Sequence, residues 1–170
     1  MEIQEQFACC GIFSAMPIST PATQALDRFS IPYRLFEHSQ PPESLEQAAL
    51  QRGQTPGQII RSILFRYGKD NFFLTLMAGP EQISWRKLRH HLAVSRISMA
   101  TEDEVLAVTG YAVGTVSPLG LPPPIRTLAD GSVFEPEEVS MGSGLRGVAI
   151  IMKSADLLRA LGNIEVGQFC

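Results

Sequence analysis

Cysteine is nearly absent, and where it occurs it is badly placed for a framework. The three cysteines, Cys9, Cys10 and Cys170, lie at the chain ends, an odd count without C-x-x-C spacing. That argues against a disulfide scaffold. The vicinal pair Cys9–Cys10 reads as frayed terminal thiols, with a redox-active or soft-metal pair as the alternative. Histidine is equally sparse: His38, His90 and His91 show no ligand spacing, and His90 and His91, adjacent on a helix, point apart. Neither a metal nor a cofactor is expected. Apolar runs stay far short of the ~18 residues that a membrane span needs, so no membrane partner is expected. The first ten residues carry acids but no lysine or arginine, the wrong polarity for a secretory signal. A cytoplasmic protein is the expectation.

What remains is an ordinary globular composition, 45% hydrophobic and 18% charged over 170 residues, the size of one domain. Residues 1–15 lack periodicity and turn signals and read as a loosely held extension; residues 16–170 read as a single domain. The net charge of −3 hides a segregation. Between Arg52 and Arg96 stand eight basic residues against two acids, leaving six basic and fifteen acidic residues elsewhere. Such a block makes a positive face that steers a phosphate-bearing partner, unless it is merely a solvated helix face with strand-edge charges.

Local signals place most elements. Thr20-Pro21 puts a cap before a first-turn proline and opens a helix to about Phe29; Ile31–Phe36 alternates toward a strand ending near His38. Ser44 caps a helix over Leu45–Gln51, stopped at Gly53, and Thr55-Pro56 repeats the cap-then-proline device for one more turn. Ser62–Tyr67 and Phe72–Met77 flank Gly68–Asn71 as a hairpin. Ser84 caps a basic amphipathic helix through Leu92, Arg96–Met99 is a brief strand, and Thr101 opens a helix that stops at Gly110, after which a glycine-rich loop enters a strand. Short β-prone pieces follow at Ile125–Leu128, Val133–Phe134 and Val139–Met141. Val148–Met152 is the most continuous buried-strand signal, and Ser154 caps a last helix over Ala155–Leu161. Helices gather early and strands late, which predicts an α+β domain with one mixed, strongly bent sheet or barrel.

The chemistry centres on Thr109–Gly120, a β-prone apolar run broken by three glycines and a proline. Its backbone must bend tightly between buried flanks, as in a pocket wall, although an ordinary strand–turn–strand corner has the same composition. Within it, Thr109-Gly110-Tyr111-x-Val113-Gly114-x-Val116-Ser117-Pro118-Leu119-Gly120 resembles the signature of the YbaK/ProX family, freestanding relatives of the editing domain of bacterial prolyl-tRNA synthetases. Further pieces fit in order: the Thr20-Pro21 helix, Ile31-Pro32-Tyr33, the strand ending in His38, Pro56-x-Gln58-Ile59, the Lys87 helix, and Gly142-x-Gly144-x-Arg146-Gly147 before Asp156-Leu157.

The resemblance implies a mixed β-barrel of six to seven strands with surrounding helices, and hydrolysis of the ester that joins a wrong amino acid to a transfer RNA. It implies the aminoacyl-tRNA acceptor end as partner, an aminoacyl-tRNA synthetase as a possible second, and no DNA. Carried onto this chain, Arg61, Gly114, Ser117 and Pro118 become the catalytic candidates. Thr115, Val116, His38, Gly142, Ser143 and Gly144 become substrate contacts, and Arg86, Lys87 and Arg89 the tRNA-docking residues. Ser117 lacks a nucleophile-elbow pattern and reads better as a turn-capping hydroxyl, and His38, which ends a strand, reads better as a structural histidine than as a pocket residue. Arg61 stands where the family typically carries lysine. Arginine stays charged and cannot act as a base, though its planar fork holds phosphate or carbonyl oxygen. Two readings therefore stand: a deacylase, or a binding module that keeps the pocket and has lost hydrolysis at Arg61.

Overall fold

A computed structural model describes residues 18–122 and 125–170. The 1–15 extension, Met16, the Cys9–Cys10 pair and two of the prolines in Leu121–Pro124 lie outside the described residues.

The early helices form where local caps dictate. Helix α1 (Pro21–Arg28) starts at Thr20, whose hydroxyl accepts from the Thr23 N–H while the Thr23 hydroxyl accepts from the Thr20 N–H. Helix α2 (Leu45–Arg52) is capped by Ser44 and ends on Gly53 in the left-handed conformation at φ 68°. A 3-10 turn, Pro56–Gln58, leads directly into the long hairpin of β2 (Ile60–Tyr67) and β3 (Asn71–Ala78). Helices α3 (Trp85–Leu92) and α4 (Glu102–Thr109) flank the two-residue strand β4 (Ser98–Met99). Strands β5 (Arg126–Asp130), β6 (Glu138–Gly142) and β7 (Val148–Lys153) precede α5 (Ser154–Leu161) and the short β8 (Glu165–Gly167). Strand β1 (Arg34–Glu37) lies between α1 and α2.

These strands make two sheets, in orders β1-β7-β6 and β4-β2-β3-β5-β8. The first is antiparallel throughout. In the second the hairpin is antiparallel, whereas β3–β5 and β5–β8 are parallel. One parallel bridge, Ile59 to Ser140, joins the sheets at the start of β2 and the middle of β6. The α+β expectation of a mixed, bent sheet holds; the eight strands among the described residues include pieces of only two and three residues.

Strand β3 explains why the hairpin reads as nearly continuous apolar sequence: it is central and buried on both faces. Leu74 and Leu76 point into the main core with Leu64, Ala129, Met141, Ile150 and Leu157, covered by α1 and α5. Phe73 and Met77 point the other way, into a second cluster with Phe65, Leu88, Leu128 and Phe169 under α3. The two clusters fix the hairpin from both sides, so its first residues, where the sheets meet, are held firmly.

Three local expectations need correction. Val133–Phe134 is not a strand: Gly131–Phe134 forms a 3-10 turn because the Asp130 carboxylate accepts from the Ser132 N–H and tightens the chain. Ser154 is the first residue of α5 rather than its cap; its hydroxyl turns to the Glu137 carbonyl at 3.4 Å. The glycine-rich loop does not run into a strand, since Tyr111–Pro122 is irregular and β5 begins only at Arg126. Strand β8 has no counterpart in the sequence reading.

Candidate active site

Where the two sheets meet, a cleft of about 500 Å³ opens between β2, β6 and the loop after α4. That volume lies in the range typical of small-molecule sites. Its lining includes Ile60, Arg61 and Ser62 from the start of β2, Gly114 and Val116 from the loop, and Met141 and Gly142 from the end of β6. His38 and Arg52 enter from the ends of β1 and α2, and Leu145 and Arg146 from the glycine turn before β7.

The loop is a fixed object. Helix α4 ends on Gly110 in the left-handed conformation at φ 74°. Thr109 then donates its hydroxyl to the Val105 carbonyl at 2.7 Å and accepts the Tyr111 N–H at 3.1 Å. Tyr111 is buried, and its hydroxyl donates to the Leu119 carbonyl at 2.7 Å, closing the loop on itself. Burial pushes that phenol up to about 12, so it remains a neutral donor. The turn before β7 clamps the loop from the other side. The Gly144 N–H donates to the Thr115 carbonyl at 2.9 Å, and a Cβ on Gly144 would meet the Tyr111 ring at 2.5 Å. Gly142 lies so close to the loop that a Cβ there would stand 2.6 Å from the carbonyl oxygens of Thr115 and Val116.

Of the residues singled out in the sequence, Arg61, Gly114, Val116, His38 and Gly142 meet in this cleft. The others do not line it. Ser117 is fully buried, its hydroxyl accepting the Leu119 N–H at 3.3 Å, which is the turn-capping role. Thr115 is buried with its hydroxyl donating to the Ala112 carbonyl at 2.9 Å. Ser143 is buried and donates to the Val148 carbonyl at 3.0 Å. Pro118 faces a different hollow, beside Phe29 and Leu121. Gly144 serves as the clamp just described. Arg86 and Lys87 line a separate hollow with His90, His91, Gln168 and Phe169, and Lys87 donates to the Cys170 carbonyl; Arg89 lines neither.

The cleft is cationic. Arg52, Arg61 and Arg146 line it with His38, and among the described residues no carboxylate does. Arg61 donates to the backbone carbonyl of Glu81, and burial lowers its pKa against the opposing pull of the Glu81 charge. Two polar atoms here, Arg61 Nε and Ser62 Oγ, are buried without a hydrogen-bond partner among the described residues. In the loop, the Thr115 N–H is spent on the Ala112 carbonyl, while those of Gly114 and Val116 form no hydrogen bond among the described residues. The site therefore offers spare donors and positive charge to an oxygen-rich ligand.

Arg52 and Ser140 escaped the sequence reading as site residues, although their neighbour His38 did not. The Arg52 Nε donates to His38 Nε2 at 3.1 Å and its Nη1 to the buried Ser140 hydroxyl at 2.8 Å. Because His38 Nε2 accepts, its proton sits on Nδ1, which donates to the Gln51 side-chain oxygen. In sequence Arg52 looks like any basic residue in a last helical turn. Only the return of β6 to the end of α2 reveals its place.

Comparison with known proteins yields consistent relatives. The profile of a family described as "Aminoacyl-tRNA editing domain" matches residues 40–160. A Proline--tRNA ligase of Kosmotoga olearia is 37% identical over 79 residues, covering 46% of this chain and 13% of the ligase. The Multifunctional Ser/Thr-tRNA deacylase ProXp-y of Escherichia coli K12 is 29% identical over 112 residues, 64% of this chain and 67% of that protein. A solved structure described as a candidate trans-editing enzyme for prolyl tRNA synthetase superposes with a TM-score of 0.79 at 25% identity, covering 89% of this chain and 98% of the other. No helix among the described residues is long and apolar enough to cross a membrane.

Proposed function

This chain belongs to the family of aminoacyl-tRNA editing domains, and on that premise we propose that it is a deacylase acting in trans on mischarged transfer RNA. The carrying observation is that the glycine loop, Gly142 and Arg61 converge on one cationic cleft with spare backbone donors. In the proposed reaction water attacks the carbonyl carbon of the aminoacyl ester. The bond from that carbon to the ribose oxygen breaks, releasing the amino acid and a transfer RNA with a free hydroxyl.

The N–H groups of Gly114 and Val116 hold the oxygen on which negative charge develops. The glycine at 114, at φ 85° with open space before it, lets the ester approach the backbone. Arg61 stabilises the same charge and takes no proton. Ser117 is no nucleophile in this scheme, because its hydroxyl is buried and committed. Met141, Val116 and Val148 supply apolar walls for the amino-acid side chain. The exposed Arg86 and Lys87, with half-buried Arg89, meet the acceptor stem, and a cytoplasmic synthetase supplies the substrate.

No observation favours the alternative of a module that binds without hydrolysis; the E. coli relative, matched over most of its length, carries the name of a deacylase. The test is a deacylation assay over a panel of mischarged transfer RNAs, in which at least one is cleared and Arg61→Ala slows that clearance at least tenfold. Measurable binding with no turnover on any member would overturn the reading in favour of the sensor.

A further inference from the structure

Arg52 raises a question that hydrolysis alone does not answer. It is a half-buried guanidinium whose partners, His38 Nε2 and Ser140 Oγ, are both neutral. It takes part in none of the ion pairs among the described residues, and neither do Arg61 and Arg146, which line the same cleft. A cation withdrawn from water without a matching anion is costly, and the cost is recovered when a ligand brings the anion. The two hydrogen bonds also orient the fork: with Nε and one hydrogen of Nη1 spent, the three remaining N–H donors form a preorganised set. Burial lowers the Arg52 pKa from the ordinary arginine range, the direction expected of an uncompensated charge.

We propose that Arg52, held in the cleft by His38 and Ser140, binds the phosphate on the 5′ side of the aminoacylated terminal nucleoside, with Arg61 and Arg146 flanking it. A planar fork against a phosphodiester is the pairing arginine serves best. This assignment rests on the deacylase reading and deepens it. The cleft then recognises not an amino-acid ester in general but one attached to a nucleotide, so free aminoacyl esters are poor substrates.

The experiment is a thermodynamic cycle on the whole protein. Two non-hydrolysable probes are titrated calorimetrically: a 3′-aminoacylamido adenosine with a 5′-phosphate, and the same compound with a 5′-hydroxyl. The wild type binds the phosphorylated probe roughly ten- to a hundredfold more tightly, the usual range for charge-assisted hydrogen bonds. Arg52→Gln removes most of that gap and leaves the dephosphorylated probe within about threefold of wild type.

A wild type indifferent to the phosphate overturns the proposal. So does an Arg52→Gln protein that weakens both probes equally, which is what a purely structural role would do. Should Arg52→Gln fail to fold, Arg52→Lys substitutes for it: the charge stays but the fork is lost, and an unchanged gap refutes the assignment. The two readings fail separately. A wild type that clears mischarged transfer RNA yet ignores the phosphate loses only the Arg52 assignment; one that clears none and binds neither probe loses both.

Discussion

Gly142→Ala is the smallest perturbation that tests whether the loop and β6 must touch through bare backbone. Gly142 is not in the left-handed region, so alanine brings no dihedral penalty and its whole effect is steric. The new methyl would lie 2.6 Å from two carbonyl oxygens and 2.8 Å from the Thr115 carbonyl carbon, about 0.8 Å inside ordinary contact. All three atoms are main chain and cannot rotate away. The loop must shift by the better part of an ångström, carrying Gly114 and Val116 with it.

Overpacking of this kind costs about 1–3 kcal/mol, which in a chain of this size lowers the melting temperature by roughly 2–10 °C. The functional cost is larger, because a displacement of about 1 Å in positioning groups can remove around a hundredfold of rate. Deacylation under single-turnover conditions and thermal unfolding by circular dichroism measure the two effects on one preparation. Gly57→Ala is the control, since nothing lies within 4 Å of its Cβ position and its φ is ordinary; it should change stability by less than about 0.5 kcal/mol. A Gly142→Ala protein with wild-type melting and turnover would refute the claim that this contact positions the loop.

Other substitutions separate roles that look alike on paper. Ser117→Ala should lose about 1 kcal/mol of stability in chemical denaturation, through the lost acceptor for the Leu119 N–H, while retaining deacylation within about threefold; complete loss of turnover in a folded protein would make Ser117 the nucleophile after all. Tyr111→Phe should cost about 1–2 kcal/mol, read as an earlier urea midpoint, because the Leu119 carbonyl loses its buried donor; an unchanged midpoint would mean the hydroxyl does not close the loop.

Acid should act through Glu165, whose carboxyl is pushed down to about 2 by Arg126 at 2.7 and 2.9 Å and by His91 at 2.9 Å. Its folded pKa lies below the unfolded value, so the unfolded chain binds more protons. The contribution is whole above about pH 4.5 and lost toward pH 2. With 43% of the side chain exposed, screening limits that contribution to about 1 kcal/mol or less. Urea midpoints from pH 6 down to pH 2.5 should fall less steeply for Glu165→Gln than for wild type, and parallel curves would contradict the assignment.

Much of the fold was legible because its signals are local. Thr20, Ser44 and Thr101 cap helices through contacts three residues away, and Gly53 and Gly110 end them by their own backbone. The hairpin was legible for a different reason: β3 is buried on both faces and therefore apolar at nearly every position. What escaped depends on distant partners. Strand β8 exists because β5 offers it a parallel edge, and Glu165–Gly167 carries no pattern of its own. The Val133–Phe134 turn was open to a closer reading, since Asp130-Gly131-Ser132 is a turn sequence overruled by the β-propensity of its neighbours.

The site divides along the same line. The glycine loop announced itself by composition and Arg61 by its departure from the family's lysine. Arg52 meets Ser140 across 88 residues of sequence, and nothing near either residue records the meeting.

The single bridge between Ile59 and Ser140, among the described residues, bears on what holds the cleft open. Elsewhere neighbouring strands are laced by runs of paired residues, whereas backbone pairing between the two sheets is a join of one. Side-chain packing does the rest: Val139, Met141 and Ile150 of the three-stranded sheet share one core with Leu64, Leu74 and Leu76 of the five-stranded sheet. The spacing of the cleft walls is therefore a property of core volume, set by how these side chains fill the space between the sheets.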